Sequence, residues 1–118
     1  MMRPSNNIPV VYVCVAPVDF RKQIDGLAAL VQAVLLLDPF SEQLFVFTNR
    51  RRNRVRILYW ERSGFVLWHK RLERERFHWP RGESDVVNLT GQELNFLLDG
   101  YDLRRWRGHR RLHYEAVV

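Results

Sequence analysis

The chain has a single cysteine, Cys14, only two lysines, Lys22 and Lys70, and no apolar run long enough to cross a bilayer. One thiol excludes an internal disulfide and any structural zinc site built on two or more thiolates, which fits a reducing cytoplasm. The longest apolar stretch, Leu27 to Leu37, is interrupted by Gln32 and falls short of the about 20 residues that a spanning helix needs. Residues Met1 to Asn7 carry no apolar segment of the kind a signal peptide requires. No Gly-x-Ser-x-Gly elbow, Gly-rich phosphate loop or His-Glu-x-x-His motif occurs, which counts against the common hydrolases and nucleotide enzymes. A soluble binding protein without cofactor, metal or membrane partner is expected.

Arginine is abundant instead. Of the 19 basic residues all but Lys22 and Lys70 are Arg, a bias toward the planar fork that grips phosphate or carboxylate bidentately. High-GC coding would also favour Arg over Lys. The formal net charge of +6 is unevenly distributed: residues 1–49 carry −1, 50–81 carry +8, 82–103 carry −5 and 104–118 carry +4. Two basic blocks therefore stand against an acidic one.

A chain of 118 residues with 47% hydrophobic content has room for one core. The division expected is a flexible N-terminus over 1–7, a single α+β domain over 8–103 and a basic tail over 104–118. Ile8 to Ala16 is a β-branched apolar run between Pro9 and Pro17, which predicts a strand buried on both faces inside a sheet. Asp19 offers an N-cap for a long helix from about Phe20 to Leu37, with Phe20, Ile24, Leu27, Val31, Val34 and Leu35 on one stripe. Leu36 falls opposite that stripe and hints at an interface. Asp38-Pro39 ends the helix.

Leu44–Phe47, Arg54–Trp60 and Phe65–Phe77 are strand-like runs separated by hairpin-length spacers, which predicts a central antiparallel meander. Alternation sets Val55, Ile57 and Tyr59 on one face, and Arg54 and Arg56 with Leu58 and Trp60 on the other. One face is expected to pack on the helix and the other to be basic, aromatic and open to solvent. Val86–Leu89 suggests a short further strand. Thr90-Gly91-Gln92-Glu93 is a capping box opening a second, short helix with Leu94, Leu97, Leu98 and Tyr101 on one face. The fold class expected is α+β, an antiparallel sheet with one long helix on one face.

Catalytic constellations are weak. Cys14 lies in the most apolar strand, where burial raises a thiol pKa and makes it inert. His109 and His113 are four apart but lack a third ligand nearby. His69, beside Trp68 and Lys70, and His78, beside Trp79, lack an orienting carboxylate in sequence. Asp19 and Asp25 flank the helix start, where capping and pairing of Asp25 with Arg21 account for them better than a metal nuclease does.

The basic strands stand out. Arg50, Arg51, Arg52, Arg54 and Arg56, then Lys70, Arg71, Arg74 and Arg76, are interleaved with Trp60, Trp68 and Trp79. Arginine on phosphates with aromatic platforms for bases is the chemistry of nucleic-acid binding. The candidate surface is completed by Arg104, Arg105 and Arg107 in the tail. A salt-bridge ladder, with Glu73 and Glu75 neutralising cross-strand arginines, is the structural alternative.

Several ordered segments also carry a resemblance: Val18-Asp19-Phe20-Arg21-Lys22 with Asp25-Gly26-Leu27-Ala28, then Asp38-Pro39-Phe40-Ser41 and Leu44–Phe47 before the arginine loop. Lys70–Glu73, Phe77–Pro80 and Leu89–Gly100 continue it in order. Over roughly residues 9–103 the chain resembles the small second-frame, TnpB-type accessory protein of IS-sixty-six insertion sequences, which is unrelated to the RNA-guided nuclease of that label. The resemblance implies an accessory role in transposition beside a separate transposase, and brings no catalytic residues. Asn53 stands where relatives often have Asp, Glu75 where Gly is common, and Gln23-Ile24 where a Gly-Phe-like pair is usual.

Three readings follow. The first is an accessory protein binding the ends of an insertion sequence, or a transposase–DNA complex, through Arg50–Arg76 and the tail. The second is an adaptor docking its arginines on an acidic surface of the transposase. The third is a small nuclease using Asp19, Asp25 and a histidine. Under the first, replacing Arg54 and Arg56 by Ala should weaken binding and leave folding intact.

Overall fold

A computed structural model of the chain describes residues 3–103. The elements in order are β1 (Val11–Cys14), α1 (Ile24–Ala33), β2 (Leu44–Thr48), β3 (Arg54–Glu61), β4 (Gly64–Arg71), β5 (Val86–Leu89) and α2 (Gly91–Leu98). The five strands form one sheet in the order β4-β3-β2-β1-β5.

The architecture is α+β, but the sheet is mixed. β1 and β2 pair in parallel, Val11 opposite Leu44 and Val13 opposite Val46. The helix-bearing connection explains this, because a crossover returns the chain in the direction it left. β5 runs antiparallel along the other edge of β1. The antiparallel pairs β2–β3 and β3–β4 therefore occupy one side of the sheet instead of its centre.

α1 spans ten residues, far fewer than the stretch expected from Phe20 to Leu37. Asp19 does not cap it. Its carboxylate accepts from the Arg21 backbone N–H at 2.9 Å and from the Arg21 guanidinium, so the side chain stabilises a local turn in place of helix. Gln23 occupies the N-cap position without a side-chain cap. At the other end Leu36 takes a left-handed φ of 57°, which turns the chain and leaves Val34 and Leu36 exposed. Val34 thus lies off the buried stripe, while Leu27 and Val31 are fully buried on it.

Both sheet faces are covered. Leu27, Val31 and Leu35 of the α1 segment pack with Phe45, Phe47 and Leu58. On the opposite face Leu94, Leu97 and Leu98 of α2, with Phe77 and Trp79, pack on Val11, Val13, Val46, Val55 and Ile57. Alternation along β3 thus sorts residues as expected, but Leu58 and its neighbours serve a second hydrophobic layer and leave no open face. The capping box is complete, with the Thr90 hydroxyl accepting from the Glu93 N–H at 3.1 Å and the Glu93 carboxylate from the Thr90 N–H at 3.0 Å. Tyr101 falls outside the buried face at 60% exposure, because α2 ends at Leu98 and Gly100 turns the chain at φ 95°.

From Arg3 onward the N-terminal segment lies against α2: the Asn95 side-chain amide donates to the Pro4 carbonyl and to Asn6, each at 2.7 Å. Arg3 pairs with Asp99 at 2.9 Å. Among the described residues no helix is long and apolar enough to cross a membrane.

Candidate nucleic-acid interface

The β2–β3 loop is built around Asn49. Its side-chain oxygen accepts from the backbone N–H groups of Asn53 at 3.2 Å and Arg54 at 3.1 Å, and its amide donates to the Asn53 side chain at 2.8 Å. The Arg52 N–H closes the turn on the Asn49 carbonyl at 3.0 Å, with Arg52 at a left-handed φ of 57°. Asn side chains suit this task because they mimic backbone groups in turns. The exposed Arg50 and Arg51 sit at the tip of a loop thus fixed from within.

A second arginine-bearing segment joins the first. After β4 the Leu72 N–H donates to the Asn53 carbonyl and the Phe77 N–H to the Arg52 carbonyl, both at 2.7 Å. These bonds tie residues 72–77 to the hairpin loop, with Phe77 buried as an anchor, and bring the exposed Arg74 and Arg76 to the same end of the sheet. Arg71 ends β4 directly opposite Arg54. Two like charges facing across strands destabilise the pair unless an anion or counter-charge relieves them. Arg71 finds one in Glu73 at 3.1 Å. That bond joins neighbours on one segment and is no cross-strand ladder.

Arg54 also lines an open groove of about 650 Å³ between Pro17–Arg21 on one side and Asn49, Arg50, Arg51 and Asn53 on the other. Asp19 is clamped there by Arg21 at 2.6 Å. That contact holds its carboxyl at a pKa of about 2, below the ordinary carboxylate range. Arg21 pairs with Asp19, two residues away, and not with Asp25 as the helical spacing suggested.

Arg56 is occupied in the fold. Its guanidinium donates to the Lys22 carbonyl at 2.9 Å and to His69 Nδ1 at 3.3 Å, and lies 4.5 Å from the centre of the Phe20 ring. The expectation that it faces solvent is therefore corrected: the Phe20–Lys22 segment covers it. Burial, then the neighbouring Arg54, lowers its pKa. His69, opposite Arg56 in the strand register, has its pKa lowered by burial first and then by Arg56, Arg54 and Arg71. Its neutral Nδ1 is the acceptor for Arg56.

Other candidates lie elsewhere. Lys70 is on the α2 face, where its ammonium donates to the Leu98 carbonyl at 3.0 Å, a favourable place for a cation at a helix C-terminus. Trp68 packs against the same core. Trp60 is at the far end of β3, its ring 5.0 Å from those of Phe40 and Phe65. Trp79 is 3% exposed and donates to the Cys14 carbonyl at 2.9 Å. Trp60 and Trp79, interleaved with arginine in sequence, are thus engaged by other groups in the fold. Cys14 is buried, which pushes its thiol pKa up. Among the described residues no group of three His, Cys, Asp or Glu side chains could hold a metal ion. Arg104, Arg105, Arg107, His109 and His113 lie outside the described residues.

Sequence reading missed Asn49 and Arg21. Asn49 and Asn53 flanking three arginines were the available signal for the loop. Nothing local indicated that Arg21 would wall the groove.

The fold and this end of it define a small α+β domain with a cationic edge assembled from two arginine-bearing segments. Residues 9–108 match the family described as IS66 Orf2-like protein, and the chain belongs to that family. Two proteins of Sinorhizobium fredii are similar over most of their length. The uncharacterized protein y4jC is 37% identical over 105 residues, covering 89% of each chain. The uncharacterized protein y4hO is 34% identical over 110 residues, covering 90% of this chain and 96% of its own. No solved structure matches.

Proposed function

We propose that this protein is a non-catalytic accessory protein for transposition of an IS66-type insertion sequence, and that it contacts the element's DNA through its cationic end. One observation supports the reading above others. Backbone bonds from Leu72 and Phe77 to Asn53 and Arg52 bring Arg74 and Arg76 beside Arg50 and Arg51, although more than twenty residues separate the pairs in sequence. Arginines in excess of local carboxylates, on backbone held in place, suit phosphate contacts, each of which releases counterions on binding. About five such contacts imply a roughly 10²–10³-fold loss of DNA affinity between 50 and 200 mM salt. Fluorescence anisotropy on a labelled duplex from an element end tests this. No binding at low salt would exclude the reading.

A second reading has its own support. Arg71 and Arg21 already pair with the carboxylates of Glu73 and Asp19, so the same end suits an acidic surface of the transposase. Co-purification with the transposase, lost in Arg50→Gln with Arg51→Gln but insensitive to nuclease treatment, would favour it.

A further inference from the structure

The aromatic residues in and around the groove show which form of DNA fits it. Single strands are held by aromatic platforms on which successive bases stack, combined with a basic track for the backbone. The chain has four tryptophans, and the three among the described residues lie elsewhere. Trp60 is six residues along β3 from Arg54, roughly 20 Å at the rise of a strand, and its ring is engaged by Phe40 and Phe65. Trp68 lies on the α2 face and Trp79 is buried in that core. Among the described residues the one aromatic lining the groove is Phe20, and the Arg56 guanidinium already lies over its ring.

The groove and its rim offer fork donors. Arg50, Arg51 and Arg54 line it, and Arg71 stands opposite Arg54 in the sheet register. Glu73 already engages Arg71; a phosphate on Arg54 would add a second counter-charge to the opposed pair, and nothing in that contact depends on the base attached. Duplex DNA presents backbone charge at about one per 1.7 Å of axis, denser than one strand offers.

We infer that this groove binds the sugar–phosphate backbone of duplex DNA, irrespective of base sequence and in preference to a single strand. The inference rests on the DNA reading above and adds the form of the ligand.

The test is anisotropy of the full chain, and of the full chain carrying Trp106→Ala with Tyr114→Ala, over a salt series in which the probes are compared at equal salt. The probes are a 25-base-pair duplex from an element end, a duplex of scrambled sequence and one isolated strand. The two substitutions remove the Trp and the Tyr of residues 104–118, so base stacking in that chain reports on the groove. In it the expected result is the two duplexes bound within about twofold of each other and the strand about tenfold or more weaker, following the difference in charge density. Arg50→Gln with Arg51→Gln should weaken both duplexes together and lower the salt slope by about two, with an unchanged thermal melt. A strand bound as tightly as the duplex by the chain lacking Trp106 and Tyr114, or a tenfold preference for the element sequence, overturns the inference and leaves DNA binding intact. Failure to bind any of the three probes at low salt overturns the underlying reading instead.

Discussion

The guanidinium of Arg56 lies 4.5 Å from the centre of the Phe20 ring. It joins β3 to the connection that precedes α1, with a further bond to the Lys22 carbonyl. Two arginines on one strand face, Arg54 and Arg56, therefore differ in role: one lines a groove and the other fastens its wall.

Arg56→Ala should destabilise the domain by about 1–2 kcal/mol, the combined scale of a partly exposed cation–π contact and a hydrogen bond. Arg54→Ala should leave stability within about 0.5 kcal/mol, as substitutions away from such features do, and weaken DNA binding. Urea denaturation of the two single variants separates the roles, which the double variant would merge.

Asn49→Ala removes three hydrogen bonds that define the arginine loop. A loss of about 1–3 kcal/mol is expected, because the loop's backbone donors lose their acceptor. Asn53→Asp should be tolerated within about 0.5 kcal/mol, since the Asn53 oxygen only accepts from Asn49 and an aspartate accepts equally well. The aspartate that the resemblance implies for relatives at this position is thus compatible with the same loop. Thermal melts of both variants check the contrast.

Gly91→Ala is expected to be severe for a reason remote from helix propensity. A Cβ there would overlap the Ser5 carbonyl oxygen and come within 3.0 Å of the Ile8 carbonyl oxygen. The Gly91 N–H donates to that same Ile8 carbonyl at 2.7 Å. Displacing the N-terminal segment from α2 should cost about 2 kcal/mol or more, in the range of overpacking. Faster amide exchange over residues 4–8 in the variant would report it.

His69 gives the domain a pH dependence of defined sign. Its folded pKa lies below the ordinary histidine value, so the unfolded chain takes up the proton first. Its contribution to stability is intact above about pH 6.5, falls as pH drops below that value, and stops falling once the folded histidine has also protonated. His69→Gln should flatten that part of the stability–pH curve. A bound polyanion should raise the His69 pKa, so DNA affinity should increase as pH falls through the same window. Histidine NMR titration with and without duplex measures both.

Local chemistry made part of this legible in the sequence. The β-branched runs at Val11–Cys14 and Val86–Leu89 and the Thr90–Glu93 box carry their own signals, and the structure shows strands and a capped helix there. Asp19 misled because an aspartate can cap a helix or close its own turn, and the choice depends on Arg21 being near. That both faces of β3 are covered could not be read from alternation, since α1 and α2 pack on opposite faces through contacts distant in sequence. For the same reason Trp60 and Trp79 looked like partners of the arginines, whereas the structure engages them with Phe40 and Phe65 and with the Cys14 carbonyl. The joining of residues 72–77 to the hairpin loop rests on two backbone bonds that no side-chain pattern encodes.

That joining is the central claim: two arginine segments act as one anion-binding surface. The most direct measurement is the slope of log Kd against log salt for duplex DNA, compared between the natural chain and a variant with Arg50, Arg51, Arg74 and Arg76 all changed to Gln. If both segments contact phosphate together, the slope should fall by about 3–4, at roughly 0.9 per lost contact. An unchanged slope in a variant that melts like the natural chain would contradict the account.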